Sequence, residues 1–436
     1  MKRKVSIGVL LLGLIIALGV GSVILEKRAA VQAAGMQAPR FEVDPMWPKP
    51  LPNHWVMGNV IGVSADSKDH IWIIHRQGSL EAMENYAVAN PPGPKRQKGV
   101  VEAECCAPAP AVLEFDEAGN LLNHWGGEDG PNYVWPASNH GVTVDFKGNV
   151  WIGGNAATAG VPAEETLGGP REGAPARAGR GARAPGGPPL YHDSMIMKFT
   201  QDGKFLMQIG KSGQSKGSND TANLGRPAKI FVDPKTNEVY VADGYGNKRV
   251  IVYDGDTGAF KRYWGAYGHK PDDSPQPRYS PDDPPDQQFR NPVHCADLSN
   301  DGLLYVCDRV NDRIQVFKPD GTFVKEKVLF KNTLGDGAVW DIAFSKDPGQ
   351  KYIYLADGSN EKVHILDRDS LEVLTSFGDG GRQPGEFYAV HSIATDSKGN
   401  IFTTETYRGQ RIQKFVYKGM GPVTKQDQGV LWPKHS

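Results

Sequence analysis

His140-Gly-Val-Thr-Val-Asp145 is one of six versions of a phrase that recurs along this chain. The others are Ile61-Gly-Val-Ser-Ala-Asp66, Ala228-Lys-Ile-Phe-Val-Asp233, His294-Cys-Ala-Asp-Leu-Ser299, Trp340-Asp-Ile-Ala-Phe-Ser345 and His391-Ser-Ile-Ala-Thr-Asp396. Each opens a longer unit. In the third unit, Ile230-Phe-Val-Asp233, Val239-Tyr-Val-Ala242, Arg249-Val-Ile-Val-Tyr253 and Phe260-Lys-Arg-Tyr-Trp264 are short β runs separated by Pro-, Gly-, Asn- and Asp-rich turns. A four-stranded unit repeated about every 40–50 residues is the signature of a β-propeller. The chain therefore reads as all-β, a six-bladed β-propeller with four-stranded antiparallel blades. Closing the ring removes the sheet edges that separate sheets would expose. Two β-sandwich domains would not explain so regular a unit.

The composition agrees. The 436 residues can bury a large core, and the 52 glycines and 32 prolines favour turns over long helices. A net charge of −1 gives no nucleic-acid footprint. Lys2, Arg3 and Lys4 precede an uncharged run from Val5 to Leu25, and Ala30-Val-Gln-Ala-Ala34 follows. Residues 1–33 thus read as an export signal cleaved near Ala33 or, uncleaved, as a membrane anchor. Either way the remainder is expected outside the cytoplasm, periplasmic or secreted, and touches membrane only through this segment. The propeller is expected over residues 40–419, with a polar tail at 420–436. Three stretches interrupt the period: 84–110, 155–194 and 266–291. The Gly/Ala/Pro/Arg tract at 155–194 has too few apolar residues to pack and is expected to be a loop. Cys295 and Cys307 fall on consecutive strands and could face each other, whereas Cys105-Cys106 is a vicinal pair in a Pro-rich loop.

The first position of the phrase reads Ile, His, Ala, His, Trp, His. In a closed ring, His140, His294 and His391 would stand about 120° apart at the starts of alternate inner strands. A lone histidine there is commonly a turn or core residue. Three at equivalent places, and at none of the other three, point instead to a shared metal with a position open for substrate. His54, His75, His124, His192, His269, His364 and His435 do not repeat in position and read as structural or solvated. The same rim receives the ends of the second strands, which places Arg76, Asn155, Tyr245, Arg309, Asp357 and Glu405 around the channel mouth. Arginines at strand ends are most often surface ion pairs. Beside a metal, Arg76 and Arg309 would suit a carboxylate. Tyr245, in a Gly-Tyr-Gly turn, would then suit a general base.

These residues resemble the peptidyl-α-hydroxyglycine α-amidating lyases, which are six-bladed NHL-type propellers. The resemblance covers most of residues 55–418. It is strongest at Asp243-Gly-Tyr-Gly-Asn-Lys-Arg249, Pro292-Val-His294 and Cys307-Asp-Arg309. It implies zinc held by His140, His294 and His391, Tyr245 as base, and Arg76 and Arg309 on the substrate. The implied reaction releases a peptide amide and glyoxylate from a C-terminal α-hydroxyglycine. The expected partner is a small molecule or peptide C-terminus, bound by a monomer. Ser392 replaces an acidic residue that supports a structural calcium in animal members, and Gly246 replaces a half-cystine beside the tyrosine. Calcium is accordingly doubtful here. No copper monooxygenase domain lies on this sequence. The alternatives are a non-catalytic NHL-repeat binding propeller and a metal-dependent lactone hydrolase; the latter resembles oxygen-ligand calcium sites rather than histidine sites.

Overall fold

The last residue of each phrase sets the local structure. The Asp66, Asp145, Asp233 and Asp396 carboxylates accept from the backbone N–H two residues on, at Lys68 (2.8 Å), Lys147 (2.9 Å), Lys235 (2.9 Å) and Lys398 (3.1 Å). The Ser299 and Ser345 hydroxyls accept in like manner from the Leu303 and Tyr352 N–H groups. Such local bonds favour a turn over continued strand. Each phrase therefore becomes an inner strand that ends in a hairpin.

The computed structural model describes residues 35–91, 99–157 and 192–433. It shows six four-stranded antiparallel blades. Their inner strands are Asn59–Ala65, Asn139–Val144, Lys229–Val232, Val293–Leu298, Asp341–Phe344 and Val390–Thr395. Each inner strand contacts the next and the sixth contacts the first, so the ring is closed. Second strands such as Ile71–Arg76 and Tyr352–Asp357 are buried along their whole length, because blades cover both of their faces. The outer strand Leu121–Trp125 instead alternates towards solvent. Between blades lie fully buried aromatics, among them Trp72, Trp151, Phe199 and Tyr240. Burying a side chain of the size of Phe199 contributes roughly 1.5–3 kcal/mol.

Closure uses the N-terminal segment, which the repeat pattern does not reveal. Gln37–Asp44 is the fourth strand of the sixth blade, antiparallel to Arg411–Pro422. Its Phe41 packs edge-on against Tyr354 of the fifth blade, with ring centroids 5.4 Å apart. The stretch read as a polar tail begins inside Arg411–Pro422, and its continuation is strapped to the fifth blade. The Ser376 N–H donates to the Gln426 carbonyl and the Gln428 N–H to the Ser376 carbonyl, each at 2.8 Å.

Cys295 lies opposite Cys307 and is disulfide-bonded to it, with Cα atoms 4.8 Å apart. Cys105 and Cys106 form a second disulfide, next to a two-residue strand, Ala107–Pro108, that pairs in parallel with Trp55–Val56. The 266–291 connection walls a groove of about 510 Å³ with Tyr279, Asp286, Arg290 and Arg313; none of the three phrase histidines lines it. The segment read as an export signal and residues 158–191 of the second insertion lie outside the described residues.

Candidate metal centre

The three phrase histidines all sit at irregularities of their inner strands. Pairing with the second strand skips between His140 and Val142, between Val293 and Cys295, and between Val390 and Ser392. A bulge of this kind inserts one residue and re-aims a side chain. The third and fifth inner strands pair without interruption. The first has a bulge too, between Val60 and Gly62, but carries Ile61 there.

The imidazoles of His140, His294 and His391 meet in the channel. Ring centroids are 5.2 Å apart for His140 and His294 and 4.8 Å for each with His391. One nitrogen from each ring lies within 4.8 Å of the others, near enough to share one small ion. The second ring nitrogens of two histidines are anchored by the neighbouring blades. His140 Nδ1 lies 2.7 Å from the Ala228 carbonyl and His294 Nδ1 lies 2.5 Å from the Trp340 carbonyl. Such carbonyl partners fix ring orientation at zinc sites. His391 Nδ1 is buried with no protein partner. Burial pushes all three histidines well below their usual range. Arg76 adds to the effect at His140, Arg309 at His294 and the other two imidazoles at His391. They are therefore neutral at pH 7, the form that binds metal. A convergent, neutral imidazole trio, two of its members anchored by carbonyls, fits zinc by its donor chemistry.

Tyr245 stands over this trio. Its hydroxyl lies 3.1 Å from His140 Nε2 and 3.0 Å from His294 Nε2. Arg309 donates from Nη1 to the Tyr245 hydroxyl at 3.4 Å, lies over the Trp340 ring 4.3 Å from its centroid, and faces Asp336 at 3.5 Å. Tyr407 closes the group, with its hydroxyl 3.4 Å from Asp336. Arg76 comes from the first blade, donating to the Asn139 carbonyl at 3.0 Å and to Asn155 Oδ1 at 2.8 Å. Its guanidinium is pushed down to about 10, chiefly by burial. Arg226, Trp340, Asp336 and Tyr407 are additions to the residues read from sequence. Tyr407 stands two residues past the second-strand acid Glu405, as Tyr245 does past Asp243, a repeat that could have marked it; Arg226 and Asp336 lie in turns where no repeated residue type marks them.

Two of the residues read onto the rim have other work. Asp357 bonds His364 Nε2 at 3.1 Å and Asn360 at 2.7 Å. Glu405 accepts from Arg411 at 2.6 Å and Gln413 at 2.7 Å. They follow the rule of Asp243 with Arg249 and Asp308 with Arg313, both at 2.8 Å. An acid at the end of each of these second strands pairs with a base on the third strand, locking the hairpin. The strand period fixes where such a residue stands along the blade but not which neighbour takes its charge.

No family profile matches the chain. It is 26% identical over 359 residues to peptidylglycine α-amidating monooxygenase of Rattus norvegicus, covering 80% of this chain and 30% of that protein. It is 22% identical over 398 residues to NHL repeat-containing protein 3 of Mus musculus, covering 87% of this chain and 85% of that protein. The chain is a distant homologue of NHL-repeat proteins. It spans about 30% of the length of the rat monooxygenase and about 21% of a Xenopus laevis one. Among solved structures, a streptogramin B lyase is similar with a TM-score of 0.45 and 13% identity, covering 88% of this chain and 99% of that one. A virginiamycin B lyase from Staphylococcus aureus is similar with a TM-score of 0.42, covering 89% of this chain and 92% of that one.

A second polar layer of this NHL-like ring crosses the channel further along the phrase, with Lys229, Asp341 and Ser392 at its second position and Asp297 at its fourth. Lys229 follows Ala228, Asp341 follows Trp340 and Ser392 follows His391. The Lys229 ammonium lies 2.6 Å from Asp341 and 3.0 Å from Asp297, and Ser392 donates to Asp341 at 2.9 Å. Burial alone would lower the pKa of Lys229. Asp297 and Asp341 more than reverse this, so its pKa lies above the usual lysine value. Burial, helped by Asp341 and opposed by Lys229, pushes the Asp297 carboxyl up. Asp297, Asp341 and Cys295 stand close enough together for a metal. The disulfide removes the thiol, and the Lys229 ammonium already sits against both carboxylates and offsets one of their two charges. This layer does not fit calcium.

Proposed function

We propose that this protein is an exported, zinc-dependent carbon–nitrogen lyase of the amidating type, acting on a C-terminal α-hydroxyglycine. The observation that carries the proposal is the Tyr245 hydroxyl, held within 3.1 Å of two imidazoles of a three-histidine ring. His140, His294 and His391 would hold zinc, which supplies Lewis acidity to a substrate hydroxyl. The protein's own groups do the rest. Tyr245, oriented by Arg309 and entering as the phenolate, accepts the hydroxyl proton and becomes the phenol. As the C–N bond breaks, the hydroxyl-bearing carbon becomes the aldehyde carbon of glyoxylate. The departing amide nitrogen needs one proton, the one that Tyr245 has taken up. The buried guanidiniums hold the carboxylate in a setting of low water content, where charge-assisted bonds are strong. The two disulfides suit an oxidising compartment outside the cytoplasm.

A second reading is a binding propeller without catalysis, supported by the near full-length alignment to NHL repeat-containing protein 3. The lactone hydrolase alternative would call for oxygen ligands, and the candidate centre offers imidazoles. Elemental analysis of the protein purified without added metal, followed by a glyoxylate assay on a peptide ending in α-hydroxyglycine, separates these. Zinc near one per chain with glyoxylate release supports the lyase. Zinc-loaded protein that releases no glyoxylate excludes it.

A further inference from the structure

The groove beside the fourth blade holds about 510 Å³, the size of sites that take small organic ligands. Its walls are largely apolar. Pro277, Pro281, Pro284 and the Tyr279 ring come from the 266–291 connection, and Val328 ends the outer strand Phe323–Val328. Its ionic groups answer one another. Arg290 pairs with Asp286 at 2.7 Å and Arg313 with Asp308 at 2.8 Å. The exposed Asp283 and Lys331 balance, so the groove selects no net charge. The walls are also fastened. Arg290 donates to the Pro277 carbonyl and, at 3.0 Å, to Asn311 Oδ1. The Tyr279 hydroxyl donates to the Lys331 carbonyl at 2.8 Å and ties the two walls together.

This groove shares two segments with the metal centre. The turn Arg309–Asn311 carries Arg309 against Tyr245 and Asn311 in the groove wall. Two residues span at most about 7 Å, which is also the reach of one or two residues of a bound peptide. The connection 328–336 starts with Val328 and Lys331 in the groove and ends with Asp336 facing Arg309. Between them Phe330 and Leu334 are 37% and 55% exposed, so apolar surface continues along this connection. A peptide whose C-terminus reaches the three imidazoles must leave over this rim. We infer that the groove is a subsite for apolar side chains one or two places before the reacting end of a peptide. The substrate class then narrows to peptides with aromatic or aliphatic residues there. Naming the occupant as the substrate's own chain rests on the lyase reading. The preference of the groove for an apolar side chain does not.

The test is calorimetric titration of the zinc-loaded full-length protein with two unreactive peptides, acetyl-Phe-Phe-Gly and acetyl-Ala-Ala-Gly. Wild type binds the Phe peptide at least about tenfold more tightly, as for burial of one aromatic side chain. Tyr279→Ala removes this preference and leaves the Ala peptide unchanged, whereas Tyr279→Phe, which keeps the ring, retains it. Should Tyr279→Ala fail to fold, Val328→Asn at an exposed strand end carries the same comparison and weakens the Phe peptide by at least about threefold. No binding of the Phe peptide, no preference in wild type, or a preference untouched by Tyr279→Ala overturns the subsite. A protein that prefers the Phe peptide but releases no glyoxylate from the same sequence ending in α-hydroxyglycine overturns the lyase and leaves the groove standing. Glyoxylate release with equal kcat/KM for the Phe and Ala sequences keeps the lyase and overturns the subsite.

Discussion

Two polar layers cross one channel, and they treat positive charge in opposite ways. The upper layer gathers three neutral imidazoles and no internal cation. The lower layer gathers Asp297 and Asp341 around the Lys229 ammonium. Both are built on inner strands of the ring, although Lys229 and Asp341 come from the third and fifth, which carry no phrase histidine, and both bring candidate metal ligands together. The difference is charge balance. A buried carboxylate pair needs a cation to fold at all, so the lower layer carries its own. Neutral imidazoles cost little to bury when one nitrogen has a carbonyl partner, so the upper layer can wait for its ion. The comparison teaches that a cluster of ligating side chains is a metal site only where its electrostatics are incomplete without the metal.

The strongest way to break this comparison is to remove an imidazole. His294→Ala should weaken zinc binding by at least about 10²-fold and remove lyase activity with it. Zinc content and glyoxylate release measured on the same preparation check this. Tyr245→Phe should keep zinc and fold but lower kcat by about 10²–10⁴-fold with little change in KM. Equal activity would remove Tyr245 from the chemistry while leaving the metal centre.

In the lower layer the expected effect is on stability. Lys229→Met should keep zinc but cost about 3–5 kcal/mol in denaturant unfolding, because it strands two buried carboxylates. Added calcium should not raise the unfolding temperature of the wild type, whose carboxylates are already paired. A clear rise in the wild type would show that the ammonium does not fill the cation's place.

The smallest effect sharpens the comparison from outside both layers. Asp312 is buried; its Oδ1 accepts from the Ala338 N–H at 2.7 Å, and among the described residues it has no paired cation and its Oδ2 has no hydrogen-bond partner. Burial pushes its carboxyl up to about 8. A raised folded pKa means that its contribution is complete below about pH 4 and is lost as pH rises through 8. Asp312→Asn should therefore gain stability relative to wild type progressively between pH 4 and 8. Asparagine also tolerates the φ of 52° at this position. Paired thermal melts across that range check the trend, and a gap that shrinks with rising pH would refute it.

The sequence was legible where a local rule repeats. The turn-closing Asp or Ser at the end of each phrase and the four β runs between turns are enough for blade number and strand order. The alternation of histidine in the first position marked the three rings that meet in the channel. Residues without a period stayed hidden. Gln37–Asp44 carries no phrase, because an outer strand needs only an edge to pair with, so ring closure could not be read. Asp357 and Glu405 stand at the expected height, but their charges are spent on hairpin partners that only packing brings near.

By itself, the sequence determined the six-fold repeat and which blades offer imidazoles, since both follow from local hydrogen bonding and from spacing. Tertiary structure alone decided what surrounds them. It supplied the bulges at His140, His294 and His391, the Ala228 and Trp340 carbonyls from the neighbouring blades, the Arg226 guanidinium beside Tyr245, and the ammonium beneath. Each of these joins residues distant in the chain, and their energies depend on burial and on the charges that packing brings together, which no local pattern records.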